Sequence, residues 1–271
     1  VGDSGRSALA ALGVAADPDQ ALIALLNLAT AQPAKTKALL KKDDSARRLC
    51  SVLGASTALT DFIIRHPEQL DVFEKPHNLS THQEVTAALI TSVEPLLKPG
   101  FELAAVWSAL RIAYRRELLK IAVFDLSQSD VQAGQPAVAA ALADIAAAAI
   151  EAGLRVARAE LKLGTEHGVF SEVEVDATQL SVIAMGKCGA RELNYISDVD
   201  VIFVAESSFS EVDSQRAVEI ATKLATRMMR AMGLDQVPST ASLARIFREA
   251  GVAGLQPRKR RASSRTKSST C

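Results

Sequence analysis

Two aspartates, Asp198 and Asp200, flank Val199 and open an apolar run from Val201 to Val204. In an extended strand alternate side chains share a face, so the two carboxylates would project side by side about 7 Å apart. Like charges held together are costly unless a cation sits between them. An oxygen-rich pair suits Mg²⁺, which keeps waters and also binds substrate phosphates. The chemistry implied is phosphoryl or nucleotidyl transfer, with Asp198 and Asp200 as metal ligands. Upstream, a second apolar run, Val182 to Met185, leads into Gly186-Lys187-Cys188-Gly189. Lys187 and Arg191 are phosphate contacts by charge and placement, although either could equally be solvated. By spacing alone the aspartates could also do no more than cap or solubilise a strand end, and both readings stand at this point.

Other readings of the same stretch are weaker. Ala184-x-Gly186-x-x-Gly189 is a degenerate dinucleotide fingerprint with Glu206 near the place of a ribose-binding acid. A parallel βαβ unit needs a full crossover helix, and the interval between the two runs is too short for one. Cys188 has no His or second Cys close in sequence, so it reads as a packed thiol. His66, His77, His82 and His167 lack ligand spacing and read as structural or surface residues.

These residues must be positioned by the elements around them. Residues 19–164 carry helical periodicity almost without interruption. Asp17-Pro18 reads as a cap and first-turn proline. Short helices are predicted over 45–53 and 57–65, the second ending before Pro67. Thr81-His82-Gln83-Glu84 has capping-box form. Lys98-Pro99-Gly100 precedes a long helix, and Gly134-Gln135-Pro136 reads as a break before another over 138–163. The period then changes. Glu172 to Asp176 alternate as an edge strand would, and Leu180–Met185 and Val199–Ala205 read as buried central strands. Helical spacing returns over 212–232. The predicted class is α+β: a helical region over 1–165, then an α/β core over 166–240.

Of the 271 residues 48% are hydrophobic, enough for a real core, and the formal net charge is zero. No global attraction to nucleic acid or membrane follows from that balance. Cys50, Cys188 and Cys271 form neither a disulfide framework nor a zinc cluster, which fits a reducing cytoplasm. No signal-peptide pattern opens the chain, and no apolar run is read as approaching membrane-spanning length. From Arg258 onward six basic residues, four serines and two threonines occur without an acid. The segment 241–271 therefore reads as a divergent basic tail too polar to order itself.

The run from Gly186 to Phe203, GKCGARELNYISDVDVIF, closely resembles the signature of the glutamine synthetase adenylyltransferase family. Softer likenesses lie at Gly54-Ala55-Ser56-Thr57-Ala58-Leu59 and Leu110-Arg111-Ile112-Ala113-Tyr114-Arg115. The resemblance implies a nucleotidyltransferase (polymerase-beta-like) core behind helices. It also implies Mg²⁺ on the catalytic pair Asp198 and Asp200, with nucleotide contacts from Gly186, Lys187, Gly189 and Ser197. The glycines would let backbone N–H groups approach a phosphate. Helices followed by one copy of the signature look like the adenylyl-removing half of the family. Phosphate would then attack the adenylyl-tyrosine of glutamine synthetase and release ADP. The implied partners are glutamine synthetase, a PII-type signal protein, ATP or ADP, and phosphate, in the cytoplasm.

The chain departs from the family after the helix that follows the second strand. Gly233 to Glu249 lacks the expected further carboxylate in an alternating strand. A truncation or reading-frame shift near 233–240 would account for this, and it implies an incomplete core with little turnover. The alternative is a non-catalytic helical module that binds glutamine synthetase or a PII-type protein.

Overall fold

The computed structural model describes residues 3–163, 169–207 and 214–233. His167, the Gly233–Glu249 departure beyond its first residue, and the basic tail lie outside the described residues. Helices α1 (Asp3–Leu12), α2 (Pro18–Ala31), α3 (Pro33–Leu40), α4 (Asp43–Ala55) and α5 (Thr57–Arg65) come first. After a 3-10 turn at Pro67–Phe73 follow α6 (His82–Val93), α7 (Leu103–Asp125) and α8 (Val131–Leu163). The remainder is α9 (Glu172–Ala177), β1 (Thr178–Ala184), the single turn α10 (Gly186–Gly189), β2 (Val201–Ser207) and α11 (Ser214–Gly233). Helices plus a small sheet agree with the α+β expectation.

Local signals explain most of the helix starts. Asp17 accepts a hydrogen bond from the Gln20 N–H, with Pro18 in the first turn. Ser56 caps α5, and Thr81 with Glu84 closes a full capping box on α6. Each satisfies N–H groups that a helix start leaves without partners.

Two large hydrophobic clusters form, and Ala177 with Ala217 makes a small third. One joins α1–α5 to part of α7, with Leu28, Leu49, Phe62 and Phe73 fully buried. The other joins α6, α7, α8, the sheet and α11 around Leu89, Ile145, Leu161 and Ile220. In α11 the buried residues Ala217, Ile220, Ala221, Leu224 and Met228 recur at helical spacing. That face lies on α8 and on the β1–β2 pair. Fully burying Ile220 or Leu224 contributes about 1.5–3 kcal/mol each.

The strands pair antiparallel, Thr178 opposite Ser207 through Ala184 opposite Val201. This pairing excludes the parallel dinucleotide unit. Four sequence expectations are corrected. Residues 172–176 are helix rather than edge strand, because Ser171 and Glu174 form a second capping box and only Val175 of the two valines is buried. The two strands are not buried on both faces: Ile183, Ile202 and Val204 are close to half exposed, while Leu180 is buried. Helix α8 does not break at Pro136 but runs through it. Asp130 supplies the reason: its carboxylate accepts from the Ala133 N–H, and its carbonyl from the Gly134 N–H. The helix therefore starts upstream, and Pro136 removes a single bond from an exposed early turn. Finally, α8 is long and apolar enough to cross a membrane, against the expectation that no run approaches that length. Of the 18-residue window that meets this criterion, 78% is buried inside the fold.

Candidate functional site

Between β1 and β2 the chain makes an excursion, residues 185–200, closed at its base by the Met185 N–H donating to the Asp200 carbonyl at 2.8 Å. Its first turn is α10. The Gly189 N–H bonds to the Met185 carbonyl and the Ala190 N–H to that of Gly186. The leading N–H groups of Gly186, Lys187 and Cys188 are those a helix start leaves without intrahelical partners. Gly186 has φ of 53°, in the left-handed region that glycine enters without penalty. Gly189 is required for a different reason. A Cβ there would lie 3.0 Å from the Ala184 carbonyl carbon and closer still to its oxygen. The two glycines let the turn pack against the end of β1.

Val199 is fully buried, whereas Asp198 is half-buried and Asp200 exposed. Both carboxylates thus leave the chain on the side away from the core. Asp200 sits against the glycine turn: a Cβ on Gly186 would meet its Oδ2 at 3.4 Å. Among the described residues no group of three or more His, Cys, Asp or Glu could hold a metal. The donor set is a carboxylate pair beside a glycine turn. That set fits a Mg²⁺ ion bound through one or two carboxylates plus substrate phosphates and water.

Lys187 is exposed, and its ammonium has no hydrogen bond or ion pair among the described residues. Ser197 is buried, and its Oγ accepts from the Asn194 N–H at 3.3 Å, a bond that shapes the loop. Arg191, for which the sequence left phosphate contact and solvation open, is ion-paired within the fold and still more than half exposed. Its guanidinium donates to both oxygens of Asp144 on α8, at 2.6 and 2.8 Å. Arg191 adopts φ of 60°, rare for a residue with a side chain. His82 adds an Nδ1 contact to Asp144 at 3.6 Å.

A second tether joins the Tyr195 hydroxyl to Asp125 Oδ2 at 3.0 Å. Burial, and then the Asp125 charge, pushes the Tyr195 phenol upward from its ordinary value. Cys188 is buried and its thiol likewise raised, first by burial and then by Asp144. It is the packed thiol expected. Asp125 and Asp144 were not anticipated, because each lies far from the signature in sequence and carries no local motif.

A family model described as glutamate-ammonia ligase adenylyltransferase matches residues 46–242. A relative from Leifsonia xyli subsp. xyli is 44% identical over 82% of this chain and 22% of its own length. One from Streptomyces avermitilis is 39% identical over 86% of the chain and 22% of its own length. A third, from Cutibacterium acnes, is 41% identical over 79% and 21% respectively. All three are described as bifunctional glutamine synthetase adenylyltransferase/adenylyl-removing enzymes. The chain thus spans about a fifth of the length of these curated relatives. With its model covering most of the sequence, including both the glycine turn and the paired aspartates, the chain belongs to the glutamate-ammonia ligase adenylyltransferase family.

Proposed function

We propose that this chain carries the deadenylylating site of a cytoplasmic regulator of glutamine synthetase, in which phosphate attacks the adenylyl phosphorus, displaces the tyrosine oxygen and leaves as ADP. The observation that supports it most directly is the carboxylate pair Asp198 and Asp200, turned from the core beside a glycine turn with spare N–H groups. Asp198 and Asp200 would hold Mg²⁺, and Gly186, Lys187, Gly189 and Ser197 would make up the nucleotide side of the site. When bound, the ion neutralises charge on phosphate oxygens. The protein's share of the work is positioning. The Gly186–Cys188 N–H groups and the Lys187 ammonium face the phosphates with hydrogen bonds and charge, and Arg191 and Tyr195 fix the loop that carries them. ATP or ADP, phosphate and a PII-type signal protein complete the proposed partners.

Gly233 to Glu249 departs from the family segment that carries a further carboxylate, so turnover is expected to be slow. The test is to mix the chain with AMP-modified glutamine synthetase, Mg²⁺ and phosphate and to follow ADP. Slow release that disappears in the Asp198→Asn, Asp200→Asn double variant supports the reading. Release that persists in the variant, or AMP transfer onto unmodified glutamine synthetase from ATP, overturns it.

A second reading, a non-catalytic module that docks glutamine synthetase or a PII-type protein, draws on Leu22, Ile23 and Leu26, which α2 leaves about half exposed. Capture of glutamine synthetase by the double variant but not by an Ile23→Asp, Leu26→Asp variant would favour it.

A further inference from the structure

A cavity of about 540 Å³, whose lining includes neither Asp198 nor Asp200, lies where α5 and α7 meet Tyr195 and Ile196 of the 185–200 excursion. Its size is in the range of small-molecule sites, and much of its wall is apolar, from residues such as Leu59 and Leu118. The one cationic side chain on that wall among the described residues is Arg115. Arg115 is half-buried and has no hydrogen bond or ion pair among the described residues, and its guanidinium lies 5.8 Å from the centre of the Phe62 ring. Burial, then the charges of Arg65 and Arg111, pushes its guanidinium down from its ordinary value, with Tyr114 and Asp61 acting the other way. Tyr114 is only 4% exposed, lines the same cavity, and makes no hydrogen bond through its hydroxyl among the described residues. Helix α5 begins here, with Thr57 and Ala58 on the wall and first-turn N–H groups that the helix does not use. The one carboxylate on the wall, Asp125, already accepts from Tyr195. A guanidinium without a hydrogen bond, a phenol without one and a helix start on the wall of one largely apolar cavity call for an anion with an organic body.

We propose that this cavity is a second ligand site, separate from the carboxylate pair, which takes an organic phosphate of nucleoside monophosphate size with its phosphate on Arg115 and the first turn of α5. Arginine suits phosphate because its planar fork can donate two parallel bonds, and a helix N-terminus adds aligned N–H dipoles. The site needs no metal, so its test is independent of the deadenylylation reading.

The experiment is calorimetric titration of the chain with AMP in EDTA, with inorganic phosphate and acetate as comparison ligands. AMP is expected to bind with one-to-one stoichiometry, and more tightly than either comparison ligand. Arg115→Gln is expected to weaken it at least tenfold, and the Asp198→Asn, Asp200→Asn variant to leave it unchanged. Thr57→Pro provides a second variant that preserves the fold. Proline is tolerated at the first helical position, and Ser56 already has the extended φ of −146° and ψ of 110° that precedes proline. It removes one N–H donor and should weaken AMP several-fold. Absence of AMP binding in EDTA, binding indifferent to both Arg115→Gln and Thr57→Pro, or binding lost with the paired aspartates would each overturn the proposal.

Discussion

The glycine turn allows a sharp comparison, because its two glycines are needed for different physical reasons. Gly189 has φ in the ordinary range, but any Cβ would press on the Ala184 carbonyl, 3.0 Å from the carbon and nearer the oxygen. Both obstructing atoms are main chain at the end of β1, held by the ladder to Val201. They cannot rotate away as a side chain could. Relief requires α10 to lift off the strand, which would also disturb the Gly189 N–H bond to Met185. Overpacking of this kind costs about 1–3 kcal/mol, and an obstruction made of backbone belongs at the upper end. Gly186 presents the reverse case. Its Cβ would meet only Asp200 Oδ2 at ordinary contact distance, so its penalty is the left-handed φ of 53°, roughly 1–2 kcal/mol for a residue with a Cβ. Gly189→Ala should therefore be less stable than Gly186→Ala by about 1–2 kcal/mol, the difference of those two estimates. Urea unfolding followed by far-ultraviolet circular dichroism measures both variants against the parent chain. Equal midpoints, or Gly186→Ala the weaker of the two, would refute the close-approach account of Gly189.

Three further outcomes are expected. Arg191→Met leaves the buried Asp144 carboxylate with only the distant His82 contact and should lower stability by about 2 kcal/mol, readable in the same urea experiment. In the second capping box, bonds from the Ser171 N–H and then from Arg216 hold Glu174 down at about 2 from an ordinary 4.5. A depressed carboxylate contributes stability that is present above 4.5 and lost as pH falls towards 2. The stability gap between the parent chain and Glu174→Gln, measured by denaturant titration at several pH values, should thus narrow below pH 4.5 and stay constant above it. Cys188 and Cys50 are both buried with thiols raised by burial, so a thiol reagent at neutral pH should label neither until urea opens the chain.

Local chemistry made much of this structure legible in advance. The Asp17-Pro18 start, the Thr81–Glu84 box, the α5 stop before Pro67 and the two strands all rest on interactions within a few residues, and a linear reading finds those. The same reading missed Ser171-x-x-Glu174, where strict valine alternation outweighed a capping box that the structure shows fully formed. It also overrated Pro136, because the Asp130 cap lies upstream of the apolar stripe. The burial of only one face of each strand could not be read from composition, since uniformly apolar runs look alike whether one face or both are covered. At the site, the glycines and the aspartates were visible as types and spacing. Arg191 was visible only as a charge. That it is tied to Asp144 depends on α8 passing beneath the loop, which is a property of packing across 47 positions.

Those long-range ties bear on why a helical region stands in front of the signature at all. A two-stranded sheet is marginal by itself, and loops of this length are commonly mobile unless anchored. Here the excursion is pinned at three kinds of point. Cys188, Leu193 and Val199 enter the cluster shared with α7 and α8. Arg191 grips Asp144 on α8, and Tyr195 reaches Asp125 at the last turn of α7. Tyr195 also packs against both hydrophobic clusters. The course of the segment that carries the two aspartates is consequently set by helices outside it. A shift of α7 relative to α8 would pull Tyr195 and Arg191 apart and turn the segment between them, which leads directly into Asp198. The helical region therefore acts on the site as its frame, through two charged or polar bonds and three buried side chains.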